Sequence, residues 1–512
     1  MNRISKIILL GVMIIGPLSC KKLIEPKVYS SLTDVNAFLT KSDAIAAVNA
    51  TYARLKQPSG RGDSWMYYAG FQQLLTDMTT DAAIAMGGDH GKLADGTWGA
   101  NNVYVSYGWQ FPYKLVSDAI NGIYYINKME TISEDEKKQF LGELRFLKSL
   151  GYMDLTDAFG PVILQTEDSV ANNVANPHYE AALPVTPVDQ INTMMISDLE
   201  YAAANLPVNY TNSAIYKTND VGRASKGAAL TLLCKLYMRE HQWDKALKAA
   251  NDVIALNEYS LFPSFAGLFA EDNKWCSENI FSVMADQIVD GIEIKNHMGP
   301  VNHPTITFRW GMFLVPWPFY NSYALTDDRR DMFYAEYTGT DGLLYKQPPP
   351  GQTTPPAGEA YLFGAPSKKF VDPNGPNNYL DGHVIPVLRY ADVLLCKAEA
   401  LNELNGPSAE AINLINQVKG RSHAPLLGDP SDFTKESLRD AILQERGWEF
   451  VYELKRRQDL IRMGKYAEKT NAYLISRGMP PSITMPRDKY FSYPQNQIDL
   501  NPNLSNEGRR NN

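Results

Sequence analysis

Apolar residues recur at helical spacing through much of the chain. Ala229, Leu232, Leu233, Leu236 and Tyr237 follow the i, i+3, i+4, i+7 rule, and so do Trp243, Ala246, Leu247, Ala250 and Ile254. The break between them, His241-Gln242, permits only a tight αα-hairpin. A second hairpin is predicted over 390–418. There Ala391, Leu394, Leu395 and Ala398 form one stripe, Gly406-Pro407 the turn, and Ala411, Ile412, Ile415 and Val418 the other stripe. Two more pairs are predicted, 118–128 with 137–159 and 188–205 with 225–239. Each amphipathic pair must bury its stripe against a neighbour, so the pattern predicts a mostly α scaffold of stacked helix pairs.

Between the pairs lie long stretches rich in Gly, Asn, Pro and aromatics: 84–113, 160–187, 260–325 and 335–386. Irregular loops of this length on a helical scaffold commonly carry function. Gln347-Pro-Pro-Pro-Gly-Gln-Thr-Thr-Pro-Pro356 reads as a surface loop and not a linker, because helical and irregular patterns alternate on both sides of it. The run Leu236-Tyr237, then Trp243 with Ala246 three residues later, looks like a tetratricopeptide unit.

The first residues follow a different logic. Arg3 and Lys6 precede the apolar run Ile7 to Ile15, and Gly16-Pro17-Leu18-Ser19 leads into Cys20, the layout of an export signal. A run this short does not make a permanent membrane span, and a Cys after small and aliphatic residues is where bacterial lipoproteins are cut and acylated. Residues 1–19 are therefore read as a lipoprotein signal peptide, Cys20 as the lipidation site, and 20–30 as a tether, although Pro17 and Leu18 depart from the commonest lipobox. No later stretch approaches the roughly 18 consecutive apolar residues of a transmembrane helix. The net charge of −8 becomes two units more negative once Arg3 and Lys6 are removed, which argues against a nucleic-acid partner. Cys234, Cys276 and Cys396 are odd in number and widely spaced, with no Cys-x-x-Cys, so they form neither a disulfide framework nor a metal site; Cys234 and Cys396 fall on apolar helix faces as buried thiols.

Several segments resemble one known family, in its expected order. They are Leu144-Arg-Phe-Leu-Lys-Ser-Leu-Gly-Tyr-Met-Asp-Leu155 with Phe159-Gly-Pro-Val162, then Glu278-Asn-Ile-Phe-Ser282 and Asp327-Asp-Arg-Arg-Asp331. The clearest is Val387-Leu-Arg-Tyr-Ala-Asp-Val-Leu-Leu-Cys-Lys-Ala-Glu-Ala-Leu-Asn402, followed by Ile415-Asn-Gln-Val-Lys-Gly-Arg421, Glu445-Arg-Gly-Trp-Glu-Phe450 and Arg457-Gln-Asp-Leu-Ile-Arg-Met-Gly464. Together they closely resemble SusD/RagB-type outer-membrane lipoproteins. The resemblance implies a mostly α, SusD-like fold with about four tetratricopeptide-like helix pairs and long ligand-binding loops. It implies one body over 31–512, with an N-terminal SusD-like part at about 31–220 and a RagB/SusD part at about 221–512. It also implies a non-catalytic, lipid-anchored protein on the cell exterior that passes oligosaccharide or another nutrient to a SusC-like TonB-dependent transporter. Capture of a peptide or other non-sugar nutrient, or a tetratricopeptide scaffold gripping a protein, are the competing readings.

Candidate chemistry narrows these readings. Arg389, Asp392, Glu399, Glu445, Arg446, Glu449 and Asp459 could pass for a catalytic set, but they stand at i, i+3 and i+4 on apolar helices, where opposite charges pair as the scaffold packs. Asp77 and Asp81 are a conceivable glycosidase pair, or a solvated helix end. No hydrolase elbow, zincin helix or P-loop is present, so no catalytic residue and no cofactor is assigned. Asp89-His90-Gly91 and Thr340-Asp341-Gly342 are read as turns and not metal loops. A sugar site needs aromatic faces beside polar donors, a mixture found in Asp95-Gly-Thr-Trp-Gly-Ala-Asn-Asn-Val-Tyr104 and Phe308-Arg-Trp-Gly-Met-Phe-Leu-Val-Pro-Trp317. The resemblance maps ligand contacts there onto Trp98, Asn101, Arg309, Trp310 and Trp317. Trp109 and Tyr113, at a helix entrance, are assigned to the core.

Overall fold

The computed structural model describes residues 38–58, 66–175, 183–211, 213, 215–216, 221–286, 291–306, 309–371 and 382–510; Cys20 and the tether lie outside them. Its spine is a run of helices packed side by side: α1 (Lys41–Ala53), α2 (Val103–Asn127), α3 (Glu134–Phe159), α4 (Val188–Asn205), α5 (Lys226–Arg239), α6 (Trp243–Ala255), α7 (Tyr390–Asn405), α8 (Ala409–Arg421) and α9 (Lys435–Glu449). From α2 to α6 each helix packs on the next, α6 packs on α7, and α7 packs on both α8 and α9. Two shorter helices, α10 (Arg456–Arg462) and α11 (Tyr466–Ser476), complete the C-terminal part.

Local chemistry sets the helix ends. Ser133 opens α3 with a capping box to Glu136, and Glu134 and Asp135 add negative charge where the helix dipole favours it. Gly160 closes it at φ +69°, and a Cβ there would stand 2.7 Å from the Tyr490 ring. Midway along α3, Gly151 lets the helix approach α2: a Cβ would lie 2.8 Å from Val116 Cγ2 and 3.1 Å from the Pro112 carbonyl.

All four predicted pairings are present. The largest departure is α2, which starts at Val103 and not near 118, with Asn102 capping the amides of Tyr104 and Val105. Its first turns read as loop because Tyr104, Val105, Tyr107, Trp109, Phe111 and Pro112 are buried nearly all round, leaving no polar face to mark the period. Trp109 is core, edge-on to Phe159 and Tyr493. The helix predicted to open the 390–418 hairpin begins at Tyr390, and the residues before it, 385–389, form a strand.

The irregular stretches hold short strands: β1 (Ile84–Ala85), β2 (Asn279–Val283), β3 (Phe313–Val315), β4 (Glu336–Thr338), β5 (Leu344–Lys346), β6 (Glu359–Tyr361), β7 (Ala365–Pro366) and β8 (Ile385–Arg389). β8 runs antiparallel to β2, Ile385 opposite Val283 and Arg389 opposite Asn279, and so delivers Arg389 to the base of α7. β1, β3 and β7 form a three-stranded antiparallel sheet, and β4, β5 and β6 a second sheet. One buried apolar cluster extends from Leu55 to Leu504 and includes residues of the loops as well as the helices. Among the described residues no helix is long and apolar enough to cross a membrane.

Candidate functional site

The β1–β3–β7 sheet brings the two expected binding loops together. Ala85 pairs with Phe313, so the chain leaving β1 and the chain entering β3 meet at one sheet end, where the Met86 amide donates to the Met312 carbonyl at 3.1 Å. Gly87 and Gly88, both at positive φ, turn the first segment into the short helix Gly88–Ala94. The loop before α2 is tied to that helix: Asn102 Nδ2 donates to the Asp89 carbonyl at 2.8 Å, and His90 Nδ1 lies 3.2 Å from the Tyr104 hydroxyl.

On the second segment the Trp310 amide donates to Asn296 O at 2.8 Å and the Met312 amide to His297 O at 2.9 Å. His297 is buried between two rings, its centroid 4.9 Å from Trp310 and 5.2 Å from Phe313, and burial lowers its pKa to about 3. A neutral imidazole therefore props the indole, which stays 41% exposed. Beside it the stem of Arg309 lies on the backbone at Gly299, where a Cβ would meet Arg309 Cδ at 2.4 Å. The surface continues through the half-buried Tyr334, whose ring lies 5.0 Å from His303 and 5.2 Å from Lys368 Nζ. Asn302 follows, donating to Asp341 and to the Tyr345 hydroxyl. An accessible indole flanked by guanidinium, phenol, ammonium and amide groups can stack on the C–H face of a sugar and bond its hydroxyls.

The five mapped contacts separate. Trp310 and Arg309 share this surface, and Asn101 is exposed in the loop before α2. Trp98 is 0% exposed, with Phe491 edge-on at 5.2 Å and the Arg510 guanidinium 4.9 Å from its ring. Trp317 is 7% exposed, its Nε1 donating to Leu362 O at 2.8 Å. Both are corrected to core positions, since large rings near a loop base gain more by burial than by waiting in water. His297, His303, Tyr334 and Lys368 were not singled out from the sequence. Their only signal was membership of irregular stretches, because the contacts that join them cross three segments.

Comparison with known proteins agrees with this architecture. A sequence model described as the SusD family matches residues 317–508, and one described as starch-binding, associating with outer membrane, matches residues 33–238. The chain belongs to the SusD-like family. SusD-like protein P25 of Formosa agariphila is 25% identical over 541 residues, covering 100% of this chain and 99% of that protein. A SusD-like carbohydrate-binding protein from Bacteroides fragilis superposes with a TM-score of 0.75 at 21% identity, over 91% of this chain and 99% of the other. Surface glycan-binding protein A from Bacteroides thetaiotaomicron, solved with laminarihexaose, gives 0.72 at 20% identity, over 90% and 97%.

In this SusD-like scaffold the carboxylates that could pass for catalytic groups are bound to cations. Arg389, fully buried, donates to Glu278, to Glu449 at 2.8 Å and to Glu453 at 2.6 Å. Arg421 bridges Glu278 and Glu449, and Arg329 reaches Asp327, Glu445 and Glu449. Arg446 holds Asp392 and Asp459, both at 2.8 Å, and Arg462 holds Glu399 at 2.7 Å. Burial alone would raise the Glu449 carboxyl, but Arg421, Arg389 and Arg329 outweigh it and hold the group well below the usual carboxylate range. Asp77 and Asp81 are no solvated helix end: buried Asp77 accepts from the amides of Leu454 and Arg456, and Asp81 takes the Arg456 guanidinium at 2.7 Å. Asp89 pairs with Lys92 at 2.8 Å, and among the described residues no group of three His, Cys, Asp or Glu could hold a metal ion. Cys234 and Cys396 are buried free thiols.

Proposed function

We propose that this SusD-like protein captures oligosaccharide without chemistry and passes it to a SusC-like TonB-dependent transporter, held on the outer membrane by lipid on Cys20 and facing the cell exterior. The observation that carries the reading is the exposed Trp310 indole, supported from beneath by His297 and flanked by Arg309 and Tyr334. A ring of that size left 41% exposed on an otherwise packed loop is placed for stacking, not for stability. The laminarihexaose held by the Bacteroides thetaiotaomicron neighbour and the starch-binding description of the matched family model support a sugar as ligand. Asn101 is assigned a secondary contact from the neighbouring loop. Capture needs moderate affinity and fast release, which a shallow surface provides.

The decisive experiment is calorimetric titration of soluble residues 21–512 with plant, host and microbial oligosaccharides, beside Trp310→Ala and Arg309→Ala. Saturable heat lost in Trp310→Ala supports the reading and its site. Heat retained in that variant moves the site elsewhere, and silence across the panel with saturable binding of peptides turns the reading to a non-sugar nutrient. Cys20→Ala should release the protein into the soluble fraction, because anchoring grows by about 0.8 kcal/mol per buried CH₂.

A further inference from the structure

A cleft of about 570 Å³ lies between α3, α4, α5 and α7 on one side and α10 with the 485–490 segment on the other. It shares no residue with the Trp310 surface. Met153, Met238, Leu454 and Ile461 supply an apolar wall. Most of its cations are neutralised by neighbours: Arg239 by Asp157 and Glu240, Arg446 by Asp392 and Asp459, Arg462 by Glu399 and Asp459, Lys235 by Asp392.

Lys455 is the buried exception. It is 4% exposed and lines both this cleft and an adjoining chamber of about 70 Å³. Its Nζ donates to two carbonyls, Val387 at 3.1 Å and Glu453 at 3.0 Å, and among the described residues no carboxylate lies within ion-pair distance of it. Two of the three ammonium donors are used so, and Nζ also lies 5.1 Å from the centroid of the Phe450 ring, a weaker partner than an anion. The carboxylates that favour its charge, Asp392 and Glu453, are already bound by Lys235 and Arg446 and by Arg389 and Lys369. Burial lowers its pKa to about 8, which still leaves it mostly charged at neutral pH.

The backbone is strained to put it there. Tyr452 and Leu454, neither a glycine, adopt φ of +64° and +67°, and Asp77 clamps the amides of Leu454 and Arg456 on either side of Lys455. Left-handed backbone at two bulky residues persists only where the surroundings over-determine it, and such strain gathers at ligand sites. At the mouth, exposed Lys489 adds a second cation with no ion pair among the described residues. The exposed Asp189 is a counter-charge on the same wall, but it is not among the principal charges acting on Lys455.

We propose that this cleft is a second binding site, for a small amphipathic organic anion whose acid group is seated by Lys455 and whose apolar body lies on Met153, Met238, Leu454 and Ile461.

The test is fluorescence titration of the full-length chain with 8-anilinonaphthalene-1-sulfonate, an anion with an apolar body, and with its uncharged analogue N-phenyl-1-naphthylamine. Saturable binding at one site is expected for the sulfonate, weakened roughly tenfold or more in Lys455→Met, with the uncharged analogue indifferent to the change. Trp310→Ala should leave sulfonate binding as it is. Equal sulfonate affinity in Lys455→Met, equal affinity for both probes, loss in Trp310→Ala, or no saturable binding would each overturn the proposal. Should Lys455→Met fail to fold, the rim variant Lys489→Glu and the cleft-filling Ile461→Trp decide: weaker binding in both upholds the site, and full affinity in both refutes it.

Discussion

Two parts of this molecule use the same residue types to opposite ends. Around α7, α8 and α9, arginines and carboxylates are buried and mutually saturated, so that Glu449 alone is held by Arg329, Arg389 and Arg421. At the end of the β1–β3–β7 sheet, Trp310 stands on a loop surface open to solvent, with Arg309 half-buried beside it. In the first region geometry is fixed by charges that leave nothing to offer a ligand; in the second an aromatic face is left open to solvent. Buried Trp98 and exposed Trp310 repeat the contrast within one residue type. Residue identity therefore says little about binding in this chain until the packing of each ring is known.

The sharpest way to break the comparison is to remove Arg389. Arg389→Ala takes one cation from each of Glu278, Glu449 and Glu453, leaving them to Arg421, Arg329 and Lys369, and should cost about 3–5 kcal/mol, read as a lower urea midpoint or as failure to fold. A change under about 1 kcal/mol would mean the network is solvated and the contrast false. Trp98→Ala comes next: about 3 kcal/mol of stability should be lost through the cavity it leaves, with sugar affinity of the folded fraction unchanged. An affinity loss without a stability loss would restore Trp98 to the ligand surface.

A smaller effect separates paired from unpaired buried carboxyls. Burial raises Asp154, held by the Tyr67 and Tyr68 hydroxyls at 2.6 and 2.7 Å and by Gln72, to about 7, and Asp77 to about 6. Both still bind a proton in the folded chain where the unfolded chain has released it, so stability should fall as pH rises from about 4 to 7. Asp392, Glu449, Glu453 and Asp459 behave oppositely: burial would raise them, but their cations hold them low, so their contribution is present above about pH 4 and lost below it. Thermal unfolding should peak in mildly acidic buffer, and Asp154→Asn, which removes one of the raised groups, should flatten the decline above the peak. An unchanged slope would show that Asp154 is ionised in the folded state. The smallest stability effect belongs to Trp310→Ala, expected within about 0.5 kcal/mol of the parent while sugar binding is lost.

Much of the scaffold was legible because its helices alternate apolar and polar faces. The 188–205 helix was read to the residue, whereas α3 begins at Glu134 behind its Ser133 cap, three residues before the predicted start at 137. The start of α2 was missed because buried aromatics surround it, so that its pattern has no polar phase. The candidate site was half legible. Arg309 and Trp310 lie in a segment whose mixture of rings and polar groups signals sugar chemistry, whereas Tyr334, His303 and Lys368 join them only through strand pairing across distant segments.

By itself the sequence determined the helical scaffold and the family, because these depend on spacings within a few residues along a helix; the carboxylates do pair with cations, but with ones far along the chain, Arg389 with Glu449 and Arg329 with Glu445, so tertiary packing chose their partners. Only the tertiary structure decided which tryptophans meet solvent, where Asp77 and Asp81 are anchored, and that Lys455 is buried beside a cleft with no carboxylate partner among the described residues. Exposure and charge pairing depend on which distant segments arrive at the same place, and that follows from the closure of the whole chain around its core.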